Sequence, residues 1–294
     1  ALFWQARFHR SDPPNNPTFI RITKRGREDM FKDKVVWVTG ASSGIGYAFA
    51  KAFHAQGAKL VLSALTQDEL KPDCEELHGA VPLAFDVADF DALSEITNQA
   101  LAAHGRVDML VNNAGITQRA LAKDTSFEVY RRLIDIDLMA PIALTQLLIP
   151  HMTERGSGRI LAVASVAGKF GSGTRAAYCA AKHGVFGYFD SIRAELVHDG
   201  IEVTVVAPGA VRTNLARNAL KGDGAKFGRT DDFIEGGYDP DYLVERVFEG
   251  MKRGKREIII ARGKELLGFR LRKYLPERAF DIIAKATPGA AQQI

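Results

Sequence analysis

From Lys34 onward, short apolar and β-branched runs alternate with longer stretches whose apolar residues recur at helical spacing. The runs are Val35–Thr39, Lys59–Ala64, Val81–Asp86, Val107–Asn112, Arg159–Ser165, Ile201–Ala207 and Glu257–Ile260. Helical patterns lie near Ile45–Ala55, Phe90–Ala103, Ser126–Met152, Ala176–Val197 and Tyr242–Lys252. Strands that alternate with helices predict repeated βαβ units and one α/β domain with a parallel sheet of about seven strands. Most runs are apolar at nearly every position, which requires helices on both faces of the sheet. The architecture is therefore doubly wound. Ligands in such sheets bind beyond the carboxyl ends of the strands, so the residues just after each run are the site candidates.

Three segments fall outside or between these units. Residues 1–29 carry Pro13, Pro14 and Pro17 among scattered basic residues and lack hydrophobic periodicity. They read as a disordered N-terminal extension or leader before Met30, or, over the arginine-rich stretch Phe8–Arg27, as a targeting peptide. Residues 30–262 form the expected α/β domain. Within it, Asn218–Gly237 is the longest non-periodic stretch and reads as a mobile loop or lid. Residues 263–294 form a C-terminal extension in which Lys264–Lys285 is amphipathic and basic, with Pro276 splitting it into two short helices. That segment suits packing on the core or on a second subunit, and its alternative is peripheral contact with an anionic membrane surface.

Composition narrows the function classes. The 294 residues have 46% hydrophobic content and a formal charge of +4 spread along the chain, which suggests no nucleic-acid partner. Two isolated cysteines, Cys74 and Cys179, fit a reducing compartment and provide neither a disulfide framework nor a metal cluster. No metal site is expected, and a cytoplasmic location is. No uninterrupted apolar run reaches the roughly 18 residues of a membrane span.

The first run ends in Thr39-Gly40-Ala41-Ser42-Ser43-Gly44-Ile45-Gly46 and leads directly into a helical pattern. A glycine turn between strand and helix lets a backbone approach a pyrophosphate, and the helix N-terminus supplies free N–H groups. This is the arrangement of a Rossmann-type domain, although the spacing here is Gly-x-x-x-Gly-x-Gly. Asp86 closes the third run, and Asn112-Asn113-Ala114-Gly115 closes the fourth. Tyr178 and Lys182 lie one helical turn apart on the same face. A free phenol titrates near about 10, and a neighbouring ammonium favours the phenolate, so the pair is suited to acid/base work. Ser165 closes the fifth run.

In this order and on these elements, the motifs strongly resemble the short-chain dehydrogenase/reductase family over roughly residues 31 to 262. The resemblance implies that Gly40, Ser42, Ser43, Gly44, Ile45 and Gly46 hold the dinucleotide phosphates and ribose. It places Asp86 and Val87 near adenine, Asn112, Ala114 and Gly115 along the cofactor, and Pro208, Gly209, Val211 and Thr213 around the nicotinamide carboxamide. Ser165, Tyr178 and Lys182 are then the catalytic residues, with Tyr178 and Lys182 also touching the cofactor. Ser165 would hold the substrate oxygen while Tyr178 gives or takes the proton and hydride passes to or from the nicotinamide.

Two positions depart from the family pattern. Asp137 stands where an asparagine usually supports a proton relay to the lysine, so it is a candidate catalytic residue or a carboxylate that stabilises a helix kink. At the end of the second run, Ser63-Ala64-Leu65 offers neither an acid for the ribose hydroxyls nor a base for a 2′-phosphate. Without a carboxylate at Ala64, NADP(H) is favoured over NAD(H), with Ser42, Ser43 and Thr66 as donors. The expected reaction is hydride transfer between the dinucleotide and an apolar ketone or secondary alcohol, in a homodimer or homotetramer. Apolar character is suggested by Val166, Phe170, Phe227, Phe233 and Tyr238. The alternative is a dinucleotide-binding scaffold or sensor with little turnover.

Overall fold

The computed structural model describes residues 30–229 and 232–287. The chain divides into two units, Ala1–Met30 and Phe31–Ile294, and the sheet with its helices belongs entirely to the second. The expected N-terminal extension, residues 1–29, lies outside the described residues, as does the side chain of Phe233.

Seven strands form the sheet: β1 Val35–Thr39, β2 Lys59–Ser63, β3 Val81–Pro82, β4 Met109–Asn112, β5 Gly158–Val163, β6 Ile201–Pro208 and β7 Glu257–Ile260. Their order is β3-β2-β1-β4-β5-β6-β7, and every pairing is parallel. The winding direction reverses between β1 and β4, which opens a crevice at their carboxyl ends. Val35, Val36, Trp37 and Val38 are all fully buried, as a strand covered on both faces requires. On one face Phe31, Phe53 and Phe248 meet edge to face or tilted, with ring centroids 4.7–4.9 Å apart. On the other face Trp37, Leu110, Leu148 and Phe189 share a second apolar cluster.

The helices are α1 Gly44–Ala55, α2 Gln67–Glu76, α3 Leu93–His104, α4 Phe127–Ile134, α5 Ala140–Glu154, α6 Ala176–Leu196, α7 Asp232–Glu235, α8 Pro240–Lys252, α9 Gly263–Tyr274 and α10 Pro276–Ala286. Several expectations need correction. The third strand stops at Pro82 instead of Asp86, because Pro82 cannot donate to a ladder. The chain nevertheless stays alongside β2, with Leu83 and Phe85 donating to Leu62 and Ala64 at 2.8 and 3.0 Å. Helix α2, absent from the helical patterns read along the chain, contains Pro72 and is polar apart from Leu70 and Cys74, and its start is held by a capping box between Thr66 and Glu69. The helix expected over Ser126–Met152 is interrupted by a π turn, Asp135–Met139.

That interrupted run, Phe127–Glu154, is long and apolar enough to cross a membrane by length and composition, although no single uninterrupted apolar stretch produces it. It packs against α3, α6 and β5. The expected lid stretch is tied down at its start: Leu220 bridges to Gln118 and Lys226. The C-terminal segment does split at Pro276, and α9 and α10 pack on one another, with Arg272 over the Phe280 ring at 5.1 Å.

Candidate active site

The crevice begins at the glycine turn. Gly40 and Gly44 adopt φ of +62° and +55°, and a Cβ on Gly40 would lie 2.8 Å from the Ala114 main chain. Asn113 holds the turn in place, its Nδ2 donating to the carbonyls of Thr39 and Gly40 at 3.0 Å each. Thr39 Oγ1 accepts from the N–H groups of Asn113 and Ala114 at 3.0 and 3.1 Å, so the ends of β1 and β4 are clamped together. Ser43 caps α1 in extended conformation but makes no side-chain cap bond, and no acid stands in the first turn. The N–H groups there are left for an anion, and the helix dipole favours one. This fits the pyrophosphate of a dinucleotide.

Beyond the turn lies a cavity of about 870 Å³. Gly40, Ser42, Ser43, Gly44, Ile45, Ala114, Gly115, Asp137, Ser165, Tyr178, Lys182, Pro208, Gly209, Val211 and Thr213 all line it. Four expected site residues do not. Gly46 is buried behind the turn against Gly40. Asn112 is buried and donates to Thr145 Oγ1 at 3.0 Å. Asp86 accepts from the Ala88 N–H and pairs with Arg132 at 2.9 Å, and Val87 packs on the core. Ser63 is turned inward, accepting from Trp37 Nε1 at 2.9 Å. Ala64 is buried, Leu65 is 57% exposed, and Thr66 is engaged as the α2 cap.

The proposed reacting groups converge from two elements. Ser165 follows β5 and donates through Oγ to the Pro208 carbonyl at 3.4 Å while accepting from the Ala167 N–H at 3.2 Å. Tyr178 and Lys182 project from α6, with Lys182 Nζ 5.7 Å from the Tyr178 ring centroid. Both are buried. Lys182 Nζ donates to the Val163 carbonyl at 3.2 Å and lies 3.1 Å from Asp137 Oδ1. Burial alone would push the Lys182 ammonium down, but Asp137 and Tyr178 outweigh it and hold the group above its ordinary value. Burial pushes the Asp137 carboxyl up, against the pull of Lys182 and the Ile116 N–H. Cys179 is a packing residue beside Tyr178, and burial pushes its thiol up.

Some contributors were not foreseen. Gln118, fully buried, caps the start of α6 by accepting from the Ala177 N–H at 3.0 Å, and so fixes the turn that carries Tyr178. Glu265 lies against the Pro208-Gly209 segment and accepts from the Ala210 N–H. Leu267, Leu271, Ile282 and Ile283 wall the cavity from α9 and α10. Local sequence carries no signal for these placements, because each depends on where a distant segment folds back.

A family model for short chain dehydrogenase matches residues 34–224. The chain belongs to this family. It is 35% identical over 278 residues to a Drosophila melanogaster dehydrogenase/reductase SDR family protein 7-like, covering 90% of this chain and 85% of that one. It is 37% identical to SDR family member 7B of Xenopus tropicalis, covering 91% and 90%. Among solved structures, a short-chain dehydrogenase from Streptomyces avermitilis is similar at TM-score 0.73 and 30% identity, over 88% of this chain and 99% of that chain. A putative NAD(P)-dependent gluconate 5-dehydrogenase from Beutenbergia cavernae with bound NADP reaches TM-score 0.66 at 29% identity, over 78% and 94%. A Burkholderia phymatum homologue in complex with NAD shares the fold at TM-score 0.75 and 23% identity, over 84% and 95%. The short-chain dehydrogenase described here is thus an NAD(P)-dependent oxidoreductase.

Proposed function

We propose that this short-chain dehydrogenase interconverts an apolar ketone and the corresponding secondary alcohol, with Tyr178 as the proton donor and acceptor. The observation that carries this reading is the convergence of Ser165, Tyr178 and Lys182 on one cavity that also reaches the glycine turn. When bound, the dinucleotide supplies or accepts the hydride. In reduction, the Tyr178 hydroxyl gives its proton to the carbonyl oxygen as that oxygen gains charge, and the Ser165 hydroxyl turns from Pro208 to donate to the same oxygen. Lys182 holds positive charge behind Tyr178 and steadies the phenolate left after transfer. Oxidation reverses each step, with Tyr178 as base.

Apolar character is supported by the far wall of the cavity. Leu267 and Ile282 are 55% and 51% exposed yet line the cavity, so an apolar substrate would cover them at about 25 cal/mol per Å². For the cofactor we favour NADP(H): Ser42 and Ser43 line the cavity, and no carboxylate at Ala64 would repel a 2′-phosphate. The test is titration with NADPH and NADH, followed by turnover measured on the reduced-nicotinamide absorbance band with a series of ketones. Tyr178→Phe should lose at least about 10²-fold in turnover while keeping cofactor affinity. Undiminished turnover in that variant would refute the mechanism, and tighter NADH binding would refute the cofactor choice.

A further inference from the structure

Asparagine and aspartate have nearly the same size, but only aspartate brings a charge to Lys182. The π turn Asp135–Met139 places Asp137 in the interior, where its side chain is 0% exposed and that of Lys182 is 6% exposed. Nζ and Oδ1 are 3.1 Å apart, and the other carboxylate oxygen accepts from the Ile116 N–H at 3.4 Å. The Gly115 backbone closes the remaining side, since a Cβ there would stand 2.4 Å from Oδ1 and 3.6 Å from Nζ. The pair has little room to separate.

Among the other charged groups nearby, Arg119 is buried, lines the same cavity and donates to the Gln118 carbonyl at 3.3 Å. On α4, Arg132 pairs with Asp86, while Glu128 and Arg131 are exposed. Asp135, in the π turn itself, is half-buried. On α6, Arg175 precedes the Tyr178 turn and interacts with Glu265, and the His183 ring contacts the Cys179 carbonyl at 2.7 Å. Lys169, on the turn after Ser165, pairs with Glu257. His151 and Glu154 lie in the last turn of α5, and His198 and Asp199 follow the far end of α6. On β6, Glu202 pairs with Arg159. Among the described residues, Asp137 is the acidic side chain in ion-pair contact with Lys182.

We propose that Asp137 is a positioning residue that holds Lys182 as a fixed cation behind Tyr178 and thereby sets the alkaline limit of the reaction. This rests on the reading of Tyr178 as proton donor and acceptor. A buried ammonium without a partner loses its proton easily, because burial penalises the charged form. A carboxylate in contact reverses that, and the pair offsets the desolvation that each member would suffer alone. An asparagine at this position would not.

The test is Asp137→Asn, followed by two readouts. In the first, the Lys182 ammonium is observed by ¹⁵N NMR, its signal assigned with Lys182→Met. The ammonium signal of the wild type should persist to higher pH than that of the variant, by at least about one pH unit. In the second, the alkaline limb of kcat/KM against pH should move to lower pH by a comparable amount. An unchanged Lys182 titration would overturn the proposal. So would a rate lowered by one factor at every pH, which is what a merely structural role produces. If Asp137→Asn fails to fold, Asp137→Ser allows the same two measurements. Retained turnover in Tyr178→Phe would sink the catalytic reading, and the NMR titration would still decide whether Asp137 holds the lysine charged.

Discussion

Gly46→Ala tests whether the glycine turn is built to the tolerance that dinucleotide binding needs. A Cβ at this position would lie 2.0 Å from the Gly40 carbonyl oxygen and 2.5 Å from Asn113 Nδ2, against the 3.0 Å that real Cβ contacts respect. Something must retreat by about 1 Å, and neither neighbour is free to do so. Gly40 is backed against Ala114, and Asn113 is held by its bonds to the carbonyls of Thr39 and Gly40. Overpacking of this kind costs about 1–3 kcal/mol, and the two Asn113 bonds are worth roughly 1 kcal/mol each if both are lost. Alanine returns up to about 1 kcal/mol as the better helix former.

The net expectation is a loss of roughly 2–4 kcal/mol in stability, read from urea unfolding. Cofactor affinity should fall at least about tenfold, or roughly 1.4 kcal/mol, read from NADPH fluorescence titration. The affinity loss follows because the displaced groups include the first N–H groups of α1. A variant that unfolds with the wild type and binds NADPH equally well would refute the geometric argument, because it would mean that the turn yields without cost.

Asp108→Asn should destabilise the protein by about 2 kcal/mol at neutral pH, discounted for the solvent that reaches its arginine partners. Burial works against the Asp108 carboxylate, but the Val35 N–H, Arg155 and Arg106 hold it below the usual range. Its contribution is therefore present above the unfolded carboxylate value and lost as pH falls through the lower folded value. Urea midpoints of the two proteins should converge in acid, and a constant gap would contradict the assignment. Separately, Leu267→Asp and Ile282→Asp should raise KM for long-chain ketones several-fold while leaving the shortest ketones unaffected, since both residues wall the cavity from α9 and α10. Equal effects along a chain-length series would remove that wall from substrate recognition.

How much of this was legible depended on whether a feature is written locally. The buried strands β1, β4, β5 and β6 were visible as apolar runs because a strand covered on both faces has no polar side to interrupt it. The turn from Thr39 to Gly46 was visible because backbone approach demands glycine. Helix α2 was hidden by its polar composition and Pro72, and only Thr66 and Glu69, three residues apart, mark its start. The π turn left no trace in the apolar pattern, since Ile134, Ile136 and Leu138 provide apolar residues on both sides of a one-residue slip, and only Asp137 hinted at a kink. In α9 and α10 the amphipathic pattern was plain but its partner was not. Basic residues beside Leu267 and Ile282 suited the core, a second subunit or a lipid surface, and only the folded chain shows those side chains lining the cavity.

The same distinction separates the two halves of the site. The half proposed for the cofactor is made of backbone: Gly40, Gly44 and the first turn of α1 would act through main-chain groups, so a spacing of glycines nearly specifies it. The catalytic half is made of side chains whose behaviour depends on neighbours far along the chain. Tyr178 and Lys182 share a helix face, but the partners of the Lys182 ammonium are Asp137, brought in by the π turn, and the Val163 carbonyl at the end of β5. Asn113 joins the halves, binding the β1 end from the end of β4 at the point where the sheet reverses. Disturbance of the glycine turn should therefore reach the catalytic side through Asn113 and Gly115, which abuts the Asp137 carboxylate. Gly46→Ala is then expected to lower turnover even at saturating NADPH, an effect that loss of affinity alone cannot produce.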